Sequence, residues 1–153
     1  MNRRYFLGAT ASAATVGVVS GCAERDRGDG GPGEGDQSPF YEHLLRAPNF
    51  DGTVVDLHGK DEVVVEVGVP TSDGKYGFEP PGIAIDVGTT VRWKWTGNSE
   101  KHNVVAMSGA EFESELTADP TYEYRFTVGQ QAEIRYWCEN HQLQGMVGGI
   151  LSE

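Results

Sequence analysis

The sequence predicts an all-β sandwich of seven to eight short strands over residues 40–153. Apolar and polar residues alternate in Val91-Arg92-Trp93-Lys94-Trp95, in Tyr122-Glu123-Tyr124-Arg125-Phe126-Thr127-Val128 and in Ile134-Arg135-Tyr136-Trp137-Cys138, which is the period of a half-buried strand. Turn-forming breaks at Pro80-Pro81-Gly82, Gly97-Asn98-Ser99 and Gly129-Gln130-Gln131 come at the spacing of a sandwich or barrel, not of βαβ units. No internal repeat is visible, and nothing after Val19 is apolar enough to span a bilayer.

The first segment, residues 1–21, reads as an address. Asn2-Arg3-Arg4-Tyr5-Phe6-Leu7 has the form of a twin-arginine export motif, and an uncharged, Ala- and Gly-rich run over residues 7–19 follows it. That run is shorter than the ~20 residues a membrane-spanning helix needs, as expected of a signal segment. Val19-Ser20-Gly21-Cys22 has the form of a lipobox, with Cys22 as the lipidated first residue of the exported chain. Residues 22–39 are dominated by Gly, Pro and charge, with no large apolar residue before Phe40. They cannot bury enough surface to offset the entropy of ordering, so a flexible acidic tether is expected.

The third segment, 40–153, is long enough for a core of its own. Phe40-Tyr41-Glu42-His43-Leu44-Leu45 predicts one or two helical turns, stopped by Pro48. Val63-Val64-Val65-Glu66-Val67 is a β-branched strand ending at Gly68 and Pro70, and Ile83-Ala84-Ile85 precedes a turn at Gly88. In the next strand Val91, Trp93 and Trp95 share one face, with Arg92 and Lys94 on the other. Strands are then expected at 102–107, 122–128, 134–138 and 147–151. Met107 is expected in the core with Trp93 and Trp95. His43 and His58 are expected at the surface away from any site, and Glu111, Glu113 and Glu115 on a solvated face.

The formal net charge is −11, from 12 basic and 23 acidic residues. Removing Arg3 and Arg4 with the signal leaves 10 basic against 23 acidic, a net of −13. Such a surface repels phosphate backbones, so no nucleic-acid partner is expected. Scarce lysine (Lys60, Lys75, Lys94, Lys101) among scattered carboxylates fits a protein kept soluble at high salt. Cys22 and Cys138 stand in such different contexts that they do not read as a disulfide.

The chemistry lies in Tyr136-Trp137-Cys138-Glu139-Asn140-His141-Gln142-Leu143-Gln144-Gly145-Met146. Cys138, His141 and Met146 put a thiolate, an imidazole and a thioether on one short loop between two strands, a soft donor set that selects copper. His102, at the start of another strand, can complete a His2Cys trigonal site with a weak axial methionine, the blue copper arrangement. Gly145 gives the loop the backbone freedom a tight turn needs. A rigid β scaffold would hold a compromise geometry for Cu(I) and Cu(II) and so reduce reorganisation during electron transfer. Copper requires Cys138 as thiolate and both imidazoles neutral, so binding is expected to weaken in acid.

With these residues in view, the chain resembles the halocyanins, archaeal small blue copper proteins of the plastocyanin-like cupredoxin family. The likeness runs through residues 88–97, His102-Asn103-Val104-Val105, Phe112-Glu113-Ser114-Glu115-Leu116 and residues 136–148, and it includes the export and lipidation signals. It implies a cupredoxin-like Greek-key sandwich binding one type 1 copper ion. His102, Cys138 and His141 would be its strong equatorial ligands and Met146 the axial one. Asn103 would tie the two ligand loops together near the thiolate. His141, flanked by Leu143 and Val147, would be the electron port at the end of the sandwich. Val147 stands where a lysine is expected, which would make the nearby surface less basic. The implied function is single-electron shuttling between membrane-bound donor and acceptor proteins. The protein is expected to be a monomer, lipid-anchored on the extracellular face of the membrane of a halophilic archaeon.

Other readings of the same residues are an exported copper storage or chaperone protein, a zinc site, and an enzyme with Cys138 as nucleophile and His141 as base. Structural zinc takes four N/S donors and rarely a thioether. No orienting acid or oxyanion device accompanies the Cys–His pair, so no residue is assigned a catalytic role. A binuclear copper site would need a second loop cysteine, which is absent.

Overall fold

The computed structural model describes residues 38–97 and 100–153. The export signal, Cys22 and nearly all of the tether lie outside the described residues, as do Asn98 and Ser99 of the turn before His102.

Helix α1 (Pro39–Leu44) opens the domain, followed by β1 (Val55–Asp56), β2 (Glu62–Thr71), β3 (Gly74–Glu79), β4 (Gly82–Ile85), β5 (Thr90–Trp95), β6 (Val105–Ser108), β7 (Glu123–Thr127), β8 (Ala132–Trp137) and β9 (Val147–Ser152). One sheet runs in the order β1-β4-β9-β8-β6 and the other β3-β2-β5-β7. Their inner faces meet in one core, as the alternation predicts. Val63, Val65 and Val67 of β2 point in and lie beside Val91, Trp93 and Trp95 of β5, residue for residue. Ile83, Ile85, Ile134, Tyr136 and Ile150 supply the opposing face. Each such buried side chain contributes roughly 1.5–3 kcal/mol of hydrophobic stabilisation.

The described residues hold nine strands, more than the seven to eight expected. β1 has only two residues. β3 is Gly74-Lys75-Tyr76-Gly77-Phe78-Glu79, whose glycines and charges hide it. β2 does not stop at Gly68. It continues through Pro70 to Thr71, with register shifts against β3 at Val67/Val69 and Val69/Thr71, the irregular pairing in which Gly and Pro are tolerated. At its start, β6 falls short of the expected strand: His102 makes an isolated bridge to Thr117, and the regular strand begins at Val105. Met107 is 38% exposed, because it sits in the register shift of an edge strand between Ala106 and Ser108.

The larger correction concerns His43, which is buried rather than on the surface. Ser38 caps α1, Pro39 begins it, and Phe40 and Leu44 pack inward. His43 Nε2 then lies 2.9 Å from the carbonyl of Tyr136 and 3.0 Å from that of Gly148, on β8 and β9. Two carbonyls require a donor, so the ring carries its proton on Nε2. Burial holds the pKa of His43 below the ordinary 6.5, against the opposing pull of these two carbonyls. Unfolded, the ring titrates near 6.5. Below that pH the unfolded chain takes up a proton the folded chain refuses, so stability is full above ~6.5 and falls as pH drops towards the folded pKa. His43→Ala is expected to cost about 2–3 kcal/mol at pH 7.5 from lost hydrogen bonds and a cavity. The deficit should shrink on going to pH 5.5, as read by urea unfolding of metal-free protein at both pH values.

Candidate metal centre

The loop 138–146 joins β8 to β9, whose pairing ends at Trp137 opposite Val147. Its closure is local: Cys138 N–H donates to Met146 O at 3.0 Å, His141 N–H to Cys138 O at 3.2 Å and Met146 N–H to His141 O at 3.1 Å. A 3-10 turn at Gln142–Gln144 ends on Gly145, whose φ of 79° is the left-handed conformation glycine accepts. Cys138 and Met146 are wholly buried. His102 approaches from elsewhere, its backbone fixed by reciprocal bonds to Thr117 at 3.0 and 3.1 Å. The Trp95 indole N–H donates to the carbonyls of His102 (3.1 Å) and Thr117 (3.0 Å), so a core tryptophan pins this ligand strand.

His102, Cys138 and His141, drawn from two separated stretches of sequence, bring one donor atom each within 4.8 Å of the others. His102 Nδ1 lies 3.1 Å from His141 Nδ1, and Cys138 Sγ lies 3.9 Å and 3.5 Å from them respectively. A point equidistant from three atoms so spaced is roughly 2 Å from each, the length of a metal–nitrogen or metal–sulfur bond. The residues therefore fit a small ion, which both imidazoles would meet through Nδ1. Met146, buried and with its carbonyl bonded to the Cys138 N–H at 3.0 Å, would add a thioether to this soft set.

The surroundings keep these donors in place. Asn103 Nδ2 donates to Glu139 Oε2 at 2.9 Å and Glu139 N–H donates back to Asn103 Oδ1 at 3.0 Å, joining the two ligand stretches next to Cys138. This is the tie expected of Asn103; Glu139 as its partner was not foreseen. Tyr76 of β3 stacks on His141 with ring centroids 4.5 Å apart and an interplanar angle of 29°. No local pattern marks Tyr76, since its role depends on a strand that the sequence hides. Val147 is fully buried, so it does not stand at the exposed edge of His141, contrary to expectation. Leu143, 94% exposed, does stand outside the loop. His58 lies elsewhere, paired with Asp56 Oδ1 at 2.5 Å and Glu153 Oε1 at 3.4 Å.

Burial pushes the Cys138 thiol up, and the Glu139 carboxylate adds to it, outweighing the backbone N–H groups of Asn103, Asn140 and His141 that point at sulfur. Burial and the neighbouring His141 bring His102 down to about 4, and burial also lowers His141 against the opposing Glu100 carboxylate. Near neutral pH the metal-free site thus holds a protonated thiol and two neutral imidazoles. Metal uptake must displace one proton, from Cys138. Apparent Cu(I) affinity is expected to rise about tenfold per pH unit from roughly pH 6 to 8. The dependence should steepen in acid as His141 and then His102 take up protons. Anaerobic competition with a Cu(I) chelator across pH measures this slope.

A β-sandwich that gathers two imidazoles and a cysteine sulfur, with a buried methionine on the same loop, defines a cupredoxin with the type 1 site of a blue copper electron-transfer protein. The chain belongs to the family of copper binding proteins typified by plastocyanin and azurin, whose model matches residues 65–153. It is 34% identical over 159 aligned positions to the halocyanin of Natronomonas pharaonis, covering 99% of this chain and 96% of that protein. Among solved structures, a mutant plastocyanin of a fern superposes with a TM-score of 0.50 at 20% identity, over 60% of this chain and all of that one. A mutant amicyanin in its Cu(I) form gives 0.50 at 23% identity, over 62% and 85%. These two likenesses bear on the fold alone.

His102, Cys138 and His141, with Met146 on the same loop, are the residues that would hold the copper ion of this family, and the ion would supply a one-electron Cu(I)/Cu(II) couple. The protein's part is to hold the donors still, keep water from Cys138 and Met146, and leave one imidazole near the surface. Met146→Leu is expected to retain the blue colour and raise the reduction potential, because a weak axial donor stabilises Cu(II) more than Cu(I). Voltammetry with visible spectra checks both outcomes.

Proposed function

We propose that this protein carries single electrons between membrane-associated redox partners on the outer face of the cell membrane, tethered there by lipid at Cys22, and that it acts as a monomeric carrier and not as an enzyme. The observation that carries the reading is the attitude of His141. Its Nδ1 turns inward to the other donors, while the side chain is 12% exposed, with Nε2 4.0 Å from the Glu100 carboxylate, and the exposed Leu143 follows two residues on. An imidazole that reaches both the donor cluster and the surface gives an electron a short route out. A small apolar contact there suits brief encounters, which use interfaces at the low end of the size range. The acidic surface favours basic partners at low salt, and a high-salt medium would screen that attraction. The anchoring part of the reading rests on the lipobox form of Val19-Ser20-Gly21-Cys22.

The test separates a carrier from a copper store. Copper-loaded protein on an electrode should give a fast, reversible one-electron wave, and Leu143→Asp should slow exchange with partner membranes while leaving the potential in place. Slow, irreversible or absent current would favour storage or chaperoning. Cys22→Ser should release the protein from washed membranes; retention would remove the lipid anchor from the reading.

A further inference from the structure

We propose that residues 38–48, which precede the stretch matched by the family model, form an outer clamp on the ligand loop, with Arg46 as the positioning residue. The proposal rests on the copper reading of that loop, and its first test is independent of copper.

The clamp is anchored on the strands that flank the loop. Phe40, His43, Leu44 and Ala47 are all buried. Phe40 presses on Gly149 of β9, where a Cβ would meet its ring at 2.6 and 2.9 Å, and Leu44 presses on Gly82 of β4, where a Cβ would meet it at 2.8 Å. His43 binds the carbonyls of Tyr136 and Gly148, respectively two residues before Cys138 and two after Met146. The glycines at 82 and 149 are therefore the seat of α1, which lies flat on the sheet only because no side chain intervenes.

From that anchorage the chain leaves α1 directly onto the loop. The Arg46 guanidinium donates to Gln142 O at 3.1 Å, the same carbonyl that receives the Gly145 N–H at 3.1 Å. The Arg46 backbone carbonyl lies against Gly145 Cα, and Pro48 Cδ is 2.9 Å from where a Cβ would stand. Gln142 and Gly145 bound the 3-10 turn between His141 and Met146. The inner side of the loop is fixed by the donors themselves and by Asn103 with Glu139. The outer side is held by this segment. Arg46 thus reaches two ligands through the turn that joins them, without touching either, and limits how far the turn can shift when the preferred geometry changes between Cu(I) and Cu(II).

Hydrogen exchange of metal-free protein tests the clamp directly. Arg46→Ala should speed exchange at the amides of Gln144, Gly145 and Met146 by about three- to tenfold, the worth of one hydrogen bond to local opening, with the amides of β5 unchanged. Arg46→Lys, which retains a donor, should keep most of the protection. In copper-loaded protein Arg46→Ala should also change the copper hyperfine splitting and shift the reduction potential. Unchanged loop exchange overturns the proposal, and so does an equal rise across the whole domain, which would mark general loosening. If wild-type protein fails to form a blue site, the copper reading falls while the exchange result still decides the clamp.

Discussion

Cys138→Ser is expected to abolish the intense visible band of the copper-loaded protein and to weaken Cu(I) binding well beyond the roughly 10–100-fold that loss of an outer contact to a ligand costs. The band requires a thiolate bound to Cu(II), and no other cysteine lies among the described residues. Cu(I) selection comes from soft sulfur, and a serine hydroxyl is a poor substitute with a far higher pKa. The fold should survive. The N–H groups of Asn103, Asn140 and His141 lie close enough to the buried Sγ to favour its thiolate, and a serine oxygen in the same place can use those donors. Metal-free variant and wild type should therefore unfold within about 1 kcal/mol of each other. The discriminating pair of measurements is the visible spectrum after copper loading and the urea midpoint before it. A variant that stays blue would mean that the thiolate is not the ligand. A variant that cannot fold without metal would mean that Cys138 is chiefly a packing residue.

Much of this was legible in the sequence because two simple signals survive in a single chain. Period-two alternation places Val91, Trp93 and Trp95 in the core without reference to any other segment. The spacing of Cys138, His141 and Met146 is short enough that one loop must hold all three. What stayed hidden depends on tertiary pairing. β3 lacks an apolar run, so Tyr76 over His141 left no trace. His43 read as a surface residue because a histidine on a short helix gives no hint of two carbonyls 93 and 105 residues away. Met107 looked apolar and therefore internal, but an irregularity in an edge strand turned it out. Val147 was expected at the rim because it is adjacent to Met146, yet the strand that begins there faces inward. The donors and Asn103 were readable; Glu139, Tyr76 and His43, which hold the loop with it, were not.

That hidden packing makes Gly148→Ala the substitution with the largest expected effect on stability. Gly148 pairs with Tyr136 across β8 and β9, and a Cβ there would fall within the Tyr136 ring and hydroxyl at separations under 3.0 Å. The ring has no room to retreat. It is fully buried, edge-on to Phe78 at 4.9 Å and to Trp93 at 5.4 Å between centroids, with Phe112 at 6.3 Å. Overpacking a tight core costs typically 1–3 kcal/mol, and a clash with an immobile aromatic belongs at about 3. Against a total stability on the order of 5–15 kcal/mol, that is a large fraction, equivalent to a fall in Tm of about 10 °C for a domain of this size. The strain also bears on copper, because Tyr136 and Gly148 stand two residues either side of the ligand loop and both lend their carbonyls to His43. A double-mutant cycle isolates the clash. Tyr136→Phe alone should be nearly neutral, since the buried hydroxyl has no hydrogen-bond partner among the described residues, and it should recover part of the loss in Gly148→Ala. Tyr136→Leu removes the ring and leaves space, so adding Gly148→Ala to it should cost less than half of what it costs in the wild-type background. If Gly148→Ala costs the same in all three backgrounds, the penalty arises from the strand backbone and the aromatic core is not its cause.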